Sequence, residues 1–174
     1  MPDIQKPAHV AELIRTQRAT RQYSQREVPE EDIRTILNAG RRAQSSRNLQ
    51  RWYFIVVRDR ERLRRLAEGG KYAEHVRDAA FAIALVTSDG GSAEFDLGQA
   101  AAYLQLAAWD LGIGSCVTSM HYPEKAREAL GVPADQNLNV VLSFGYPAPR
   151  ENVQPPKKNG RKPFDEVVRW ESWS

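Results

Sequence analysis

The chain has 174 residues, 41% of them hydrophobic, with 25 Lys or Arg against 22 Asp or Glu and a net charge of +3. That length suits one domain with a real core, and no apolar run approaches the eighteen or so residues a membrane span needs. A single cysteine, Cys116, has no partner for an intrachain disulfide and fits a reducing cytoplasm. Residues 1–12 carry no apolar run of the kind found in a signal peptide. The charge divides unevenly: residues 1–65 hold fifteen basic against eight acidic side chains, and the remainder ten against fourteen. The basic excess centres on Arg58-Asp59-Arg60-Glu61-Arg62-Leu63-Arg64-Arg65. Such a run could serve nucleic acid. Because Asp59 and Glu61 interleave it and Leu66-Ala67-Glu68 continues it, we read it as the solvated face of a helix, and expect neither a nucleic-acid nor a membrane partner.

In chain order, residues 8–17 read as a first helix. Pro29 followed by Glu30, Glu31 and Asp32 marks a second helix start, with acids facing the dipole. Ile33, Ile36 and Leu37 follow at helical spacing, and Gly40 loosens the end. Residues 52–57 are aromatic and β-branched, a strand signature, with Trp52 anchoring its start. A charge-free buried strand is expected over 79–86. Residues 93–111 form the longest helix, with Leu97, Ala101, Leu104, Ala108 and Leu111 on one stripe, widened by Ala100 and Ala107. So alanine-rich a helix looks buried on more than one side, which points to a homodimer or, alternatively, to a central helix in a monomer. Gly112-Ile113-Gly114-Ser115 ends it. Cys116 to Thr118 begins another strand, and Cys116 itself reads as an inert thiol in a buried turn. Pro123 opens a helix that closes at Leu130-Gly131, and residues 138–147 are a last strand and turn. Residues 148–162 are a proline-rich arm. The tail regains Val167, Val168, Trp170 and Trp173, which should dock on something.

Arginine forks suit bidentate binding of a phosphate dianion. Arg18 and Arg21 near the start, with Arg161 near the end, are therefore candidates for a phosphorylated ligand. A solvated arginine surface is the plainer alternative. There is no zinc-type Cys/His cluster, no Walker lysine loop and no G-x-S-x-G elbow. No metal site and no protein nucleophile are expected.

Four segments in order resemble the FMN-dependent nitroreductase superfamily. They are Arg18-Ala19-Thr20-Arg21-Gln22-Tyr23, Ala43-Gln44-Ser45-Ser46-Arg47-Asn48-Leu49-Gln50-Arg51-Trp52, the helix from Ala100 into Leu111-Gly112-Ile113-Gly114-Ser115, and Gly145-Tyr146-Pro147 with Arg161-Lys162-Pro163. The resemblance covers nearly the whole chain. It implies an α+β fold, mostly an antiparallel sheet flanked by helices, and an intertwined homodimer with FMN at the interface. A core over 1–147 would be followed by a C-terminal arm, 148–174, that joins the dimer. Arg18, Ala19, Arg21 and Arg161 are then expected around the phosphate. Ser46, Asn48 and Gln50 would face the amide edge of the flavin ring, since amides both donate and accept. Alternation along an extended loop would place Asn48 and Gln50 on one side. Val117, Ser119 and Met120 follow the glycine turn and would pass beside the reactive N5, although core packing accounts for Val117 and Met120 equally well.

The activity implied is a ping-pong transfer from NAD(P)H through flavin to a small-molecule acceptor, a nitroaromatic or a quinone. No catalytic side chain is required. A dehalogenating, flavin-cleaving or azoline-oxidising enzyme on the same scaffold, or a non-catalytic FMN binder, are the alternatives. Gln17, Ala19, Gln44 and Arg51 depart from the family pattern, and short connections after residue 90 and after Ser119 imply an open site. His75 reads as a surface residue.

Overall fold

The computed structural model describes residues 10–88, 91–149 and 160–173. Four strands form one antiparallel sheet in the order β1-β2-β4-β3, with β1 at Tyr53–Val57, β2 at Phe81–Thr87, β3 at Gly114–Ser119 and β4 at Asn137–Gly145. The register runs Ile55 to Ala84, Ala84 to Val141 and Val117 to Leu142. β2 lies inside the sheet and is buried along its whole length, which is why it carries no charge.

Side chains alternate across a strand, and that period of two divides the core. Ile83, Leu85, Leu142 and Phe144 face one side, where α2 (Glu30–Gly40) and α5 (Ser92–Asp110) pack. Ala82, Ala84, Val86 and Val141 face the other, under α3 (Arg60–Ala67), α4 (Glu74–Arg77) and α6 (Pro123–Leu130). Phe81 and Phe144 stack with centroids 4.8 Å apart at the centre of the first layer. Trp52 is buried there and lies over Phe54, so it anchors the strand start as expected.

Local chemistry explains the helix limits. Pro29 caps α2 ahead of three acids in its first turn. Gly40 has a further purpose, because the Leu104 side chain of α5 occupies the space a Cβ would take. Asp59 caps α3 by accepting the Arg62 N–H at 2.9 Å, and Leu63 and Leu66 are its buried face. Arg60 turns back to donate to the carbonyls of Ala79 and Arg77, so part of the basic run ties the helix to its neighbour. Pro123 opens α6, and Gly131 ends it in the left-handed region at φ 66°.

Three features differ from the sequence reading. α4 was not anticipated, since a four-residue helix shows no periodicity. β3 begins at Gly114, two residues earlier than expected, and Cys116 therefore sits inside a strand rather than in a turn. The arm over 148–162 lies mostly outside the described residues, as does the start of the first helix, which is described as α1 from Val10 to Thr16. Beyond the arm, α7 (Phe164–Val167) packs on no other element extensively. Trp170 and Trp173 are 75% and 87% exposed, so the tail does not dock on its own chain.

Candidate functional site

Residues 18–24 run across the end of the sheet. Ala19 bridges Ser115 in parallel, Thr20 N–H donates to the Ser115 carbonyl at 2.8 Å, and Tyr23 bridges Pro147. Ser24 N–H donates to the Tyr146 carbonyl, and Ala148 N–H to that of Gln22. Two glycines make this approach possible. A Cβ on Gly114 would collide with the Thr20 side chain, and one on Gly145 would lie 2.9 Å from the Tyr23 ring. The Arg26 guanidinium covers the Tyr146 ring at 3.8 Å, a favourable cation–π distance.

Arg18 is exposed, and its Nη1 donates to the carbonyls of Arg15 and Gln17 at the end of α1. Those two bonds fix the side chain and occupy one nitrogen of its fork. The charge of Arg21 reaches the interior, since it acts to lower the pKa of both His75 and Cys116. Burial is the larger influence on each: it holds His75 below the usual imidazole value and pushes the Cys116 thiol up. Cys116 is thus the inert core thiol that the sequence indicates. His75 is a correction. It is 6% exposed, because the turn of α4 aims it inward at Ser143 of β4, which lies 2.7 Å from Nδ1.

β3 is an edge strand, buried from Gly114 to Cys116 and alternating between open surface and core from Val117 on. Ser115 accepts a hydrogen bond from Gln105 of α5 at 3.2 Å. Val117 is half exposed and Ser119 exposed. Both border a cavity of about 550 Å³ between β3, the start of β4 and α5, whose walls include Leu97, Gln105, Met120 and Asn139. Met120 belongs to that wall and also to the second core layer. Its side chain fills space beside Gly69 and Gly70, and its N–H donates to the Asn139 carbonyl at 2.9 Å.

The segment with Ser46, Asn48 and Gln50 is a tight turn, not an extended loop. Arg47, Asn48 and Gln50 have φ of 54°, 56° and 49°, a left-handed region that non-glycine residues seldom enter. Asn48 and Gln50 do come together, but through this turn: Gln50 Nε2 donates to Asn48 Oδ1 at 3.1 Å. Gln50 N–H donates to Ser45 Oγ, and Ser46 N–H to Asp96 Oδ2 of α5 at 2.9 Å. Clustered backbone strain of this kind is characteristic of functional sites.

The structure thus brings the predicted residues together in two groups. Arg18, Ala19, Arg21, Val117, Ser119 and Met120 collect along β3, while Ser46, Asn48 and Gln50 sit at the start of α5. Arg161 is exposed on the tail, apart from both groups in sequence. Sequence reasoning missed Asp96, His75 and Ser143. A signal existed for Ser143, a lone hydroxyl inside the apolar run of β4.

The chain is thus of the α+β class, with helices on both faces of a four-stranded antiparallel sheet and a cavity at its edge strand. The model of the nitroreductase family matches residues 14–87 and 68–146, and the chain belongs to that family. An Archaeoglobus fulgidus relative with the provisional name NADH dehydrogenase/NAD(P)H nitroreductase is 37% identical over 78% of this chain and 83% of its own. A Thermus thermophilus protein named NADH dehydrogenase is 29% identical over 88% and 91%. Among solved structures, an FMN-dependent nitroreductase from Clostridium difficile R20291 superposes with a TM-score of 0.83 at 27% identity, covering 94% of this chain and all of that one. The protein is an oxidoreductase. No helix among the described residues is long and apolar enough to cross a membrane.

Proposed function

We propose that this chain binds FMN and uses NAD(P)H to reduce small electron acceptors such as nitroaromatics or quinones. The observation that carries the reading is the placement of an arginine segment and an open cavity along one strand, β3, with the segment fixed at its start and Val117 and Ser119 opening onto the cavity further along. The residues fit the group. Arg18 and Arg21 supply guanidinium forks for a phosphate dianion, with the Ala19 backbone beside them. The cavity is within the size range of cofactor sites. Asn48 and Gln50, with Ser46, supply the donors and acceptors that the edge of a flavin ring requires.

FMN, held at its phosphate by Arg18 and Arg21 and at its ring edge by Ser46, Asn48 and Gln50, would supply a two-electron carrier between the reductant and the acceptor. The chain's contribution is to bind, orient and tune. Val117, Ser119 and Met120 form the wall along which ring and substrate would lie. A guanidinium near the pyrimidine edge raises the ring's tendency to accept electrons. No acid, base or nucleophile from the protein is needed, because positioning supplies much of the rate.

The same reading places the site between two copies of the chain. The strained loop is tied to Asp96 and the arginine segment to β3, so each flavin would draw on one group from each copy. α5 is apolar on its outer face too, with Phe95 71% exposed and Ala102 and Tyr103 also uncovered. A second copy would bury that face. The C-terminal arm, 148–174, would carry Phe164, Trp170 and Trp173 onto the partner and bring Arg161 toward a phosphate.

The test is the visible spectrum of the purified protein, followed by NADH or NADPH without oxygen. Flavin bands that fade on addition support the reading, and light scattering should give twice the chain mass. Bound flavin that no nicotinamide bleaches would leave a binder. A protein that refuses added FMN would overturn the cofactor assignment. Product analysis with nitro compounds and quinones separates this activity from dehalogenating, flavin-cleaving or azoline-oxidising relatives.

A further inference from the structure

Three short contacts link His75, Ser143, Tyr23 and Thr20, two of them between residues far apart in the chain. His75 Nδ1 is 2.7 Å from Ser143 Oγ, and Ser143 Oγ is 2.6 Å from the Tyr23 hydroxyl. That hydroxyl is 2.6 Å from the Thr20 carbonyl oxygen. His75, Tyr23 and Ser143 are all buried. The Tyr23 hydroxyl has one proton, and a carbonyl can only accept, so that proton goes to Thr20. The contact between the two hydroxyls must then be donated by Ser143. With the Ser143 proton used, the remaining contact must be donated by His75, from Nδ1. The reverse order would leave the Tyr23 and Thr20 oxygens facing each other at 2.6 Å with no proton between them. Longer approaches to the carbonyls of Ser143 and Cys116, both at 3.3 Å, are the weaker secondary options.

We infer that His75, as its Nδ1–H tautomer, is a positioning residue at the head of a one-way hydrogen-bond chain through Ser143 and Tyr23 that fixes the Thr20 carbonyl between Arg18 and Arg21. Thr20 is then held on both sides, since its N–H already donates to Ser115. Both arginines flank this clamped peptide. Chained bonds in a low-dielectric interior polarise one another in the same direction. α4, though it lies on the far face of the sheet from α5, thereby reaches the segment proposed to hold phosphate. That last link rests on the FMN reading; the bond directions do not.

Two measurements test it. A long-range proton–nitrogen spectrum of the 15N-histidine-labelled protein, assigned with His75→Asn, should show the His75 proton on Nδ1; a proton on Nε2 overturns the chain whether or not flavin binds. Fluorescence titration with FMN then tests positioning. Tyr23→Phe and His75→Leu should each weaken FMN binding by roughly tenfold. His75→Asn should bind close to wild type, because its side-chain amide can donate from the Nδ1 position. Should His75→Leu fail to fold, Tyr23→Phe, which removes one oxygen, carries the comparison. Variants that bind like wild type, or an Asn variant as weak as Leu, overturn the positioning role. Wild-type protein that binds no FMN while His75 shows Nδ1–H would instead defeat the cofactor assignment and keep the chain.

Discussion

The two halves of the candidate site are held in opposite ways. Segment 18–24 is clamped, with bonds to the beginning of β3 and to the chain leaving β4, and its tyrosine is buried in a polar chain. The turn around Asn48 bonds to itself and to Asp96, and keeps three residues in left-handed backbone. Such residues cost on the order of 1–3 kcal/mol each. The arginine half is therefore built by the sheet, whereas the amide half stores strain that a ligand or a second copy could offset.

That contrast can be broken from either side. The largest effect should come from Phe144→Ala, inside the sheet that carries the clamp. It should cost about 3–5 kcal/mol of stability in urea denaturation, and a loss below about 1 kcal/mol would mean the stack with Phe81 contributes little. Next is Arg18→Ala. Losing one charged contact to phosphate is expected to cost about 1.5–3 kcal/mol, read as FMN that no longer co-elutes on gel filtration. Unchanged flavin content would move the phosphate elsewhere. Asn48→Gly should act oppositely on fold and function. Relief of strain should raise stability by about 1 kcal/mol, while the lost amide weakens FMN; a variant no more stable than wild type would show that the turn stores nothing.

The smallest effect concerns pH. Burial first, and then the charge of Arg21, holds the His75 pKa below its ordinary 6.5, with Glu74 opposing; the Tyr23 hydroxyl shares Ser143 with it. The unfolded chain therefore binds the proton more readily than the folded one. The stability this group confers is complete above 6.5 and is lost as pH falls from there through the folded value. Urea midpoints measured from pH 7 down to pH 5 should fall less steeply in His75→Asn than in wild type. Equal slopes would mean His75 titrates as in free solution.

What the sequence made legible follows from what a pattern can hold. α5 and α2 repeat an apolar period over enough residues to be read directly, β2 is a charge-free run, and α3 shows as a helix through its interleaved charges. α4 is a single turn, so no period exists, and its burial depends on Ser143, which is 68 residues away in the chain. Gly112-Ile113-Gly114 looks like a turn, yet Gly114 belongs to a strand whose glycine makes room for Thr20, a contact that only the fold supplies. The site was legible in its residues and less so in its shape. Asn48 and Gln50 meet as expected but through left-handed backbone, not alternation. His75 sits in a polar stretch and still points inward, because the turn of α4 faces Ser143 of β4.

Cys116 has a practical consequence. It is the only thiol in the chain, it is 1% exposed, and burial pushes its pKa up, so thiol reagents should reach it only when the packing around β3 opens. The rate at which a maleimide-type probe modifies the native protein thus becomes a clock for opening of the strand that borders the cavity. A cysteine introduced in place of Trp173 would be the one fast-reacting group on the same molecule. A single labelling time course would then report the tail and the strand as two separate phases, with bound ligand slowing whichever of them it covers.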